Sequence, residues 1–380
     1  MPYITCVQPP RCHQVTLEEI LAGEITSYPT PHKRPGATVT VFTDKLTDKV
    51  LRSADVPSLI VRLTQFNAAH EALLSADKGS LYETFHIPKR TGGLRRIDAP
   101  NEELSLAQRE LKSIFESDFR AMHHTSAFAY VPGRCTIDAV KKHQLNQSRW
   151  FLKTDFSNFF GSTTPEFVFR MLSMIFPFSE VVKDEVGAEA LRKSLSLCFL
   201  NGGLPQGTPI SPMLTNLMMI PFDHAVSNTL SKQRMVYSRY ADDIQVSSRY
   251  SFDYRKTVRY LDEVLQRFSA PFTIKPQKTH YGSRSGHNFM LGACLNQENR
   301  ITRGWREQDR LRAMFFSYAK DRMNRIAWEP HDLQVLKGNY AYSRMVDPEG
   351  TSHIINRIDQ KLNSQVLCWL DHDLKGGMQS

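Results

Sequence analysis

Three aspartates carry the strongest chemical suggestion in this 380-residue sequence. Asp155 closes a short apolar run, Trp150-Phe151-Leu152-Lys153-Thr154-Asp155. Asp242-Asp243 stand between Val236-Tyr237 and Ile244-Gln245-Val246, two runs that read as strands meeting at an acidic turn. If those strands pair as neighbours, three carboxylates converge on one point. They repel one another unless a cation neutralises them, and hard oxygen ligands suit Mg²⁺, with Mn²⁺ able to substitute. Two such ions about 4 Å apart activate an attacking hydroxyl and stabilise a leaving phosphate oxygen, which is the chemistry of phosphoryl transfer. An Asp-Asp pair alone is also an ordinary turn, because Asp favours turns. Its meaning therefore depends on the elements around it.

Those elements follow a readable order. Residues 1–60 are punctuated by Pro9, Pro10, Pro29, Pro31 and Pro35, carry one plausible helix near 16–22, and read as an N-terminal extension. Leu59, Leu63, Phe66, Ala69 and Leu73 have helical spacing. The alternating residues 82–87 and 94–98 flank Lys89-Arg90-Thr91-Gly92-Gly93, which predicts a β-hairpin with cations around its tip. Helical periodicity returns over 103–117. Leu204-Pro205-Gln206-Gly207 is a turn followed by a helix with Ile210, Leu214, Leu217 and Met218 on one face. A second hairpin signal spans 289–302, and Leu311, Met314, Phe315 and Tyr318 begin a helical region. There is no internal repeat of 20–50 residues and no flexible linker, so the parts are expected to pack as one body.

Composition bounds the reading. With 41% hydrophobic and 23% charged residues, the chain is globular rather than disordered. It has no apolar run of 18 residues and no signal-like N-terminus, which points to a cytoplasmic protein without a membrane partner. The six cysteines (6, 12, 135, 198, 294, 368) lack C-x-x-C spacing and are expected to be reduced thiols. Most of the net charge of +9 lies in residues 61–300, at +7, and favours a polyanionic partner, although a solvated surface produces the same balance.

Tyr240-Ala241-Asp242-Asp243 resembles the YxDD box of reverse transcriptases, and further boxes of that family stand in the family's order. Phe151-Leu152-Lys153-Thr154-Asp155-Phe156-Ser157-Asn158-Phe159-Phe160 resembles the segment with the first metal-binding Asp. Leu204-Pro205-Gln206-Gly207-Thr208-Pro209-Ile210-Ser211-Pro212 is similar to the LPQG-x-x-x-SP segment. Ile87-Pro88-Lys89, Gly92-Gly93-Leu94-Arg95-Arg96-Ile97 and Gln108-Arg109 resemble the fingers signature of retron and group II intron enzymes. Pro276-Gln277-Lys278-Thr279 and Met290-Leu291-Gly292 resemble the Lys-bearing motif and the primer grip. The resemblance spans roughly 60–345. It implies an α+β right-hand polymerase fold: an N-terminal extension (1–60), fingers and palm (61–302, the palm an antiparallel sheet backed by helices), and a helical thumb with a tail (303–380).

Roles follow from the resemblance. Asp155, Asp242 and Asp243 are the expected catalytic and metal residues, holding two Mg²⁺. Lys278 is expected to protonate pyrophosphate or to stabilise its charge. Lys89, Arg95 and Arg96 are expected to clamp the dNTP triphosphate, since guanidinium forks match phosphate oxygens. Gln206 and Gly207 allow close backbone approach to the nucleotide, Phe160 matches a gate under the sugar that excludes a 2′-hydroxyl, and Tyr240 belongs to the substrate-binding set. Arg303, Arg306, Arg310 and Arg322, interleaved with aromatics, fit a thumb that follows duplex phosphates, although the same charges would solvate a surface helix. Gly338-Asn339-Tyr340-Ala341-Tyr342 loosely matches a Gly–Tyr thumb motif.

Within the family, the roughly 35 residues after the thumb are too few for a ribonuclease H or integrase domain. Retron enzymes have a Val-Thr-Gly box where this chain reads Met290-Leu291-Gly292. Asn67-Ala68-Ala69-His70 matches the retron NAxxH letters but precedes the fingers hairpin and is not counted. A free-standing antiphage-defence reverse transcriptase is the most similar type, a retron enzyme the alternative. Both imply a structured non-coding RNA as template, a DNA product, and room for a second copy or an accessory defence protein as partner. A catalytically silent nucleic-acid scaffold on the same fold is the rival class.

Overall fold

The computed structural model describes residues 27–29, 38–40, 56–89, 92–117, 123–285 and 290–376. The helix expected near 16–22, with Cys6 and Cys12, lies outside them. Two units are distinguished by their internal contacts: Met1–Cys135, Leu152–Val246 and Phe252–His280 form the first, and Thr136–Phe151, Ser247–Ser251 and Tyr281–Ser380 the second.

In the first unit, β1 (Ser27–Pro29) pairs antiparallel with β2 (Thr38–Thr40). Helix Val56–Ala69 buries Leu59, Leu63 and Phe66 as its spacing predicts, and also Asn67. The Asn67 amide donates to Ala190 O at 2.9 Å and accepts from Ser194 Oγ at 2.9 Å, so both its ends are satisfied against helix Glu185–Ser196. The expected hairpin forms from β3 (Tyr82–Pro88) and β4 (Leu94–Pro100), in register from Tyr82 opposite Pro100 to Pro88 opposite Leu94. Gly92 and Gly93 close it at φ +86 and +79, a left-handed backbone that glycine adopts without a steric penalty. Helix Glu102–Ser117 follows, its first turn capped by Asn101 Oδ1 accepting from Leu104 N at 2.9 Å.

The central sheet comprises β5 (Trp150–Asp155), β6 (Met235–Tyr240), β7 (Asp243–Ser248) and β8 (His280–Ser283), in the order β6-β7-β5-β8. Its pairings are antiparallel. Arg149 N donates to Ser248 O while Phe156 N donates to Asp242 O, and Arg284 N donates to Arg149 O while Lys275 N donates to Asp155 O. β8 has no strong pattern of its own in the sequence. In the first unit, the phenylalanines after Asp155 separate by burial: Phe156 and Phe159 are buried with Phe272, at ring-centroid distances of 4.9–5.3 Å, whereas Phe160 is only half-buried. Helices Ser211–Met218, Ile220–Lys232 and Tyr254–Arg267 complete this core.

In the second unit, four helices, Trp305–Met323, Pro330–Val346, Pro348–Leu362 and Val366–Leu374, bury Leu311, Phe315, Tyr318, Leu336, Ile358 and Leu370 against one another. The hairpin expected over 289–302 is present but short: β9 (Cys294–Leu295) pairs with β10 (Ile301–Thr302), and Phe289 lies outside the described residues. Cys198 and Cys368 are free thiols. No described helix is long and apolar enough to cross a membrane.

Candidate active site

Asp155 and the Asp242-Asp243 turn meet because β5 and β7 are neighbours: Phe156 N donates to Asp242 O at 3.2 Å immediately after Asp155. The β6–β7 turn has only two central residues, and Ala241 takes a left-handed φ of +56 to make it. Asp155 is buried, at 4% exposure, and each of its oxygens has an ammonium partner: Lys275 Nζ at 3.0 Å on Oδ1 and Lys278 Nζ on Oδ2. The short 3₁₀ turn Pro276–Lys278 explains the pairing, since three residues per turn put positions 275 and 278 on one side. Lys275 was not expected from the sequence; its signal is this spacing. The Asp155 bond also raises the pKa of Lys278 and keeps it a cation.

Among the described residues, Asp242 and Asp243 make no ion pair of this kind, although the charges of Lys278 and Lys275 act on both. Burial raises the Asp242 carboxyl above its usual range, and the charge of Asp155 adds to it. Although part of Asp243 reaches solvent, lost solvation and then the charges of Asp242 and Asp155 push it up to about 6. Among the described residues, no three His, Cys, Asp or Glu side chains are drawn together as a metal cage. The donor set still fits a hard divalent cation: three carboxylates within one another's electrostatic reach, two of them held toward protonation by burial first and by that proximity second.

A buried ion pair supports the turn. Arg239 grips Asp223 through Nε at 2.9 Å and Nη2 at 2.7 Å, Tyr237 Oη donates to the same carboxylate at 2.7 Å, and all three side chains are buried. Arg239 Nη1 then donates to Ala241 O, inside the acidic turn, at 3.0 Å. Asn216 Nδ2 donates to Ala129 O at 2.7 Å, and its Oδ1 lies 3.4 Å from Arg239 Nη2. Tyr130, another residue the sequence did not flag, has φ +59 and is 50% exposed. Its phenol pKa is raised by burial and then by the charge of Asp242, while Arg95 opposes the shift, so it lies within range of both.

The phosphate-clamp candidates separate by strand parity. Lys89, Arg95 and Arg96 are all exposed, but Arg96 Nε donates to Asp98 Oδ1 at 2.8 Å and so has a partner within its own strand. On the other face of β4, Gly207 meets the strand: at φ +115, a Cβ there would lie 2.8 Å from Ile97 Cγ2 and 3.1 Å from Asp98 O. Gln206 O accepts from Asp98 N at 2.8 Å. The close approach that Gly207 permits here is thus to the hairpin. Gln206 and Tyr240 are half-buried, and Phe160 presents a partly open ring beside buried Phe159.

The expected thumb arginines divide as well. Arg303 requires correction, because it is 8% exposed and faces inward: Nη1 donates to Ser343 Oγ at 2.6 Å, Nη2 pairs with Glu307 at 2.9 Å, and the guanidinium lies 5.0 Å from the Tyr342 ring. Arg322 forms a two-pronged bond to Asp373, at 2.8 and 3.1 Å, inside the helical unit. Arg306 and Arg310, four residues apart on one helix face, are exposed. In the same unit, Met290-Leu291-Gly292 forms a tight turn bridged from Met290 to Ala293, with Tyr342 Oη donating to Leu291 O at 3.3 Å.

Residues 87–304 match the family described as reverse transcriptase (RNA-dependent DNA polymerase), and this chain belongs to that family. It is accordingly an RNA-directed DNA polymerase of right-hand α+β fold. The family uses divalent metal ions and RNA templates. The chain is 26% identical to the retron Ec83 reverse transcriptase of Escherichia coli over 81% of its own length and 95% of that protein's. It is 28% identical to the retron Mx162 enzyme of Myxococcus xanthus over 85% and 68%. A telomerase from Candida tropicalis is similar at a TM-score of 0.43 and 12% identity, covering 75% of this chain and 60% of that one. These relatives are consistent with the retron alternative. Asn67 and His70, the latter bonded to Glu110 at 2.9 Å, pack helices together.

Proposed function

We propose that this chain is a retron-type reverse transcriptase that copies a structured RNA into DNA, with Asp155, Asp242 and Asp243 as the ligands of two Mg²⁺ ions. Bound there, the metals would activate the primer hydroxyl and neutralise the leaving pyrophosphate. The observation that supports this reading is that the strand ending at Asp155 lies beside the acidic turn, with Lys275 and Lys278 bonded to Asp155. Asp155 fixes both ammonium groups beside the acidic turn, and Lys278, held protonated, is placed to offset pyrophosphate charge or give it a proton. Lys89 and Arg95 receive the triphosphate from the hairpin that serves as fingers, with Arg96 keeping its strand in order through Asp98. Phe160 bars the 2′-hydroxyl, and Tyr130 joins the nucleotide-facing set. In the second unit, the helices from Trp305 onward act as thumb, where Arg306 and Arg310 meet duplex phosphates.

Incubating purified protein with Mg²⁺, a primed RNA and dNTPs tests the proposal. DNA synthesis is expected from the wild type and is lost in Asp242→Ala. Absence of incorporation by the wild type, or equal incorporation by the variant, supports a silent scaffold instead.

A further inference from the structure

The second unit contains a cleft of about 390 Å³ that none of the roles above uses. Arg149, Arg249 and Arg284 line it, with Tyr250 and the amide side chains of Gln147 and Gln297. Among the described residues, none of the three arginines has a carboxylate partner. Arg284 is oriented by neutral oxygens: Nε donates to Ser148 O at 2.7 Å, and Nη2 donates to Asn299 Oδ1. Arg249 Nε donates only to Asn146 O, at 2.8 Å. The one acid at the rim, Glu298, is paired with Arg300 at 3.3 Å. Burial, and then the positive charge of Arg149, lower the pKa of Arg284, so like charges are held together without an anion between them. Tyr250 is 72% exposed at the same cleft, an uncovered aromatic face beside a guanidinium.

Two guanidiniums held by carbonyl oxygens, Arg249 and Arg284, with the like charge of Arg149 beside Arg284, match phosphate oxygens, and an exposed ring at the same cleft matches a base. We infer that this cleft anchors an unpaired nucleic-acid strand, its phosphates on Arg149, Arg249 and Arg284 and a base on Tyr250. The identification of the strand as part of the enzyme's RNA rests on the function proposed above; the anchoring itself does not. The cleft is built around the segments that precede β5 and follow β7, and none of its lining residues is a carboxylate proposed to hold metal. It serves retention of the strand rather than the chemical step.

Fluorescence anisotropy of labelled 12-nucleotide oligo(U) and oligo(dT) with the full chain tests this. Arg149→Glu/Arg249→Glu, both exposed positions, is expected to weaken binding tenfold or more. It should lower the slope of log affinity against log salt by about 1.4, since each lost phosphate contact on a single strand removes about 0.7. Arg149→Gln/Arg249→Gln covers the case in which charge reversal impairs folding, and the Lys/Lys pair is expected to keep most of the salt slope. Tyr250→Leu should lose about fivefold or more and Tyr250→Phe little, if a base stacks there. Tighter binding of oligo(U) assigns the strand to RNA, and tighter binding of oligo(dT) assigns it to the DNA product. Unchanged affinity and salt slope in a folded Glu or Gln double variant overturns the inference. Primer extension on a short template, measured in parallel, separates the two claims: failure of the wild type to extend refutes the proposed polymerase while leaving the anchoring result to stand or fall on the anisotropy.

Discussion

Arg239→Met removes one half of a fully buried ion pair and leaves the Asp223 carboxylate with Tyr237 Oη as its remaining side-chain donor. In the intact protein that carboxylate receives both Nε and Nη2 of Arg239 at 2.9 and 2.7 Å. Deleting one partner of a buried pair costs about 3–5 kcal/mol, because the surviving charge keeps its desolvation penalty. The donor to Ala241 O disappears too, adding about 1 kcal/mol or more. The sum approaches the whole stability of an ordinary domain, so the single variant should unfold at far lower urea. Arg239→Met/Asp223→Leu removes both charges, and an apolar replacement of a buried pair is often close to neutral, so about 3 kcal/mol should return. The double variant still lacks the bond inside the acidic turn, and its primer extension should remain at least about tenfold below wild type, the order that about 1.4 kcal/mol of lost positioning produces. Urea unfolding of the wild type, Arg239→Met, Asp223→Leu and the double variant gives the coupling energy, and primer extension gives the activity. A coupling below about 1 kcal/mol, or a folded double variant with wild-type extension, refutes the claim that this pair holds the catalytic turn.

Other perturbations separate further parts of the site. Gly207→Ala places a methyl 2.8 Å from Ile97 Cγ2 at φ +115; strain and overpacking together should cost about 2–4 kcal/mol, and Ile97→Ala should recover the packing share only, read from unfolding midpoints. Phe160→Ala leaves the buried Phe159 in place and should raise ribonucleotide incorporation tenfold or more with little change in the unfolding midpoint; unaltered sugar discrimination would remove Phe160 from its role. His143 is buried beside Ser247 Oγ, and burial followed by the Lys142 charge lowers its pKa to about 3. Between about pH 6.5 and 3 the unfolded chain therefore takes up a proton that the folded chain refuses, so stability falls with pH by up to about 1.4 kcal/mol per unit. His143→Gln should flatten that slope by close to one proton in urea titrations between pH 7 and 4.

How far the sequence discloses the site depends on whether a residue's partner is local. The acidic turn, the hairpin and the strand ending at Asp155 are marked by short-range patterns, and each is present. Lys275 escapes notice because its meaning lies in a three-residue turn that only becomes visible as structure. Asp223 and Arg239 escape because an acid in an amphipathic helix and a base in a strand look like ordinary surface charges until folding buries both. Arg303 misleads for the converse reason: counting cations weighs a buried Arg bonded to Ser343 and Glu307 the same as exposed Arg306. Gly207 shows a subtler limit. A glycine in a turn correctly signals that something approaches its Cα, yet nothing in the letters says whether that neighbour is a nucleotide or Ile97. If the hairpin moves on substrate entry, the same glycine can serve both, since the missing Cβ frees the strand to slide past the loop that Gln206 O ties to Asp98 N. Loss of dNTP affinity in Gly207→Ala, recovered by Ile97→Ala by more than the regained stability accounts for, is the result expected of a glycine needed for that motion.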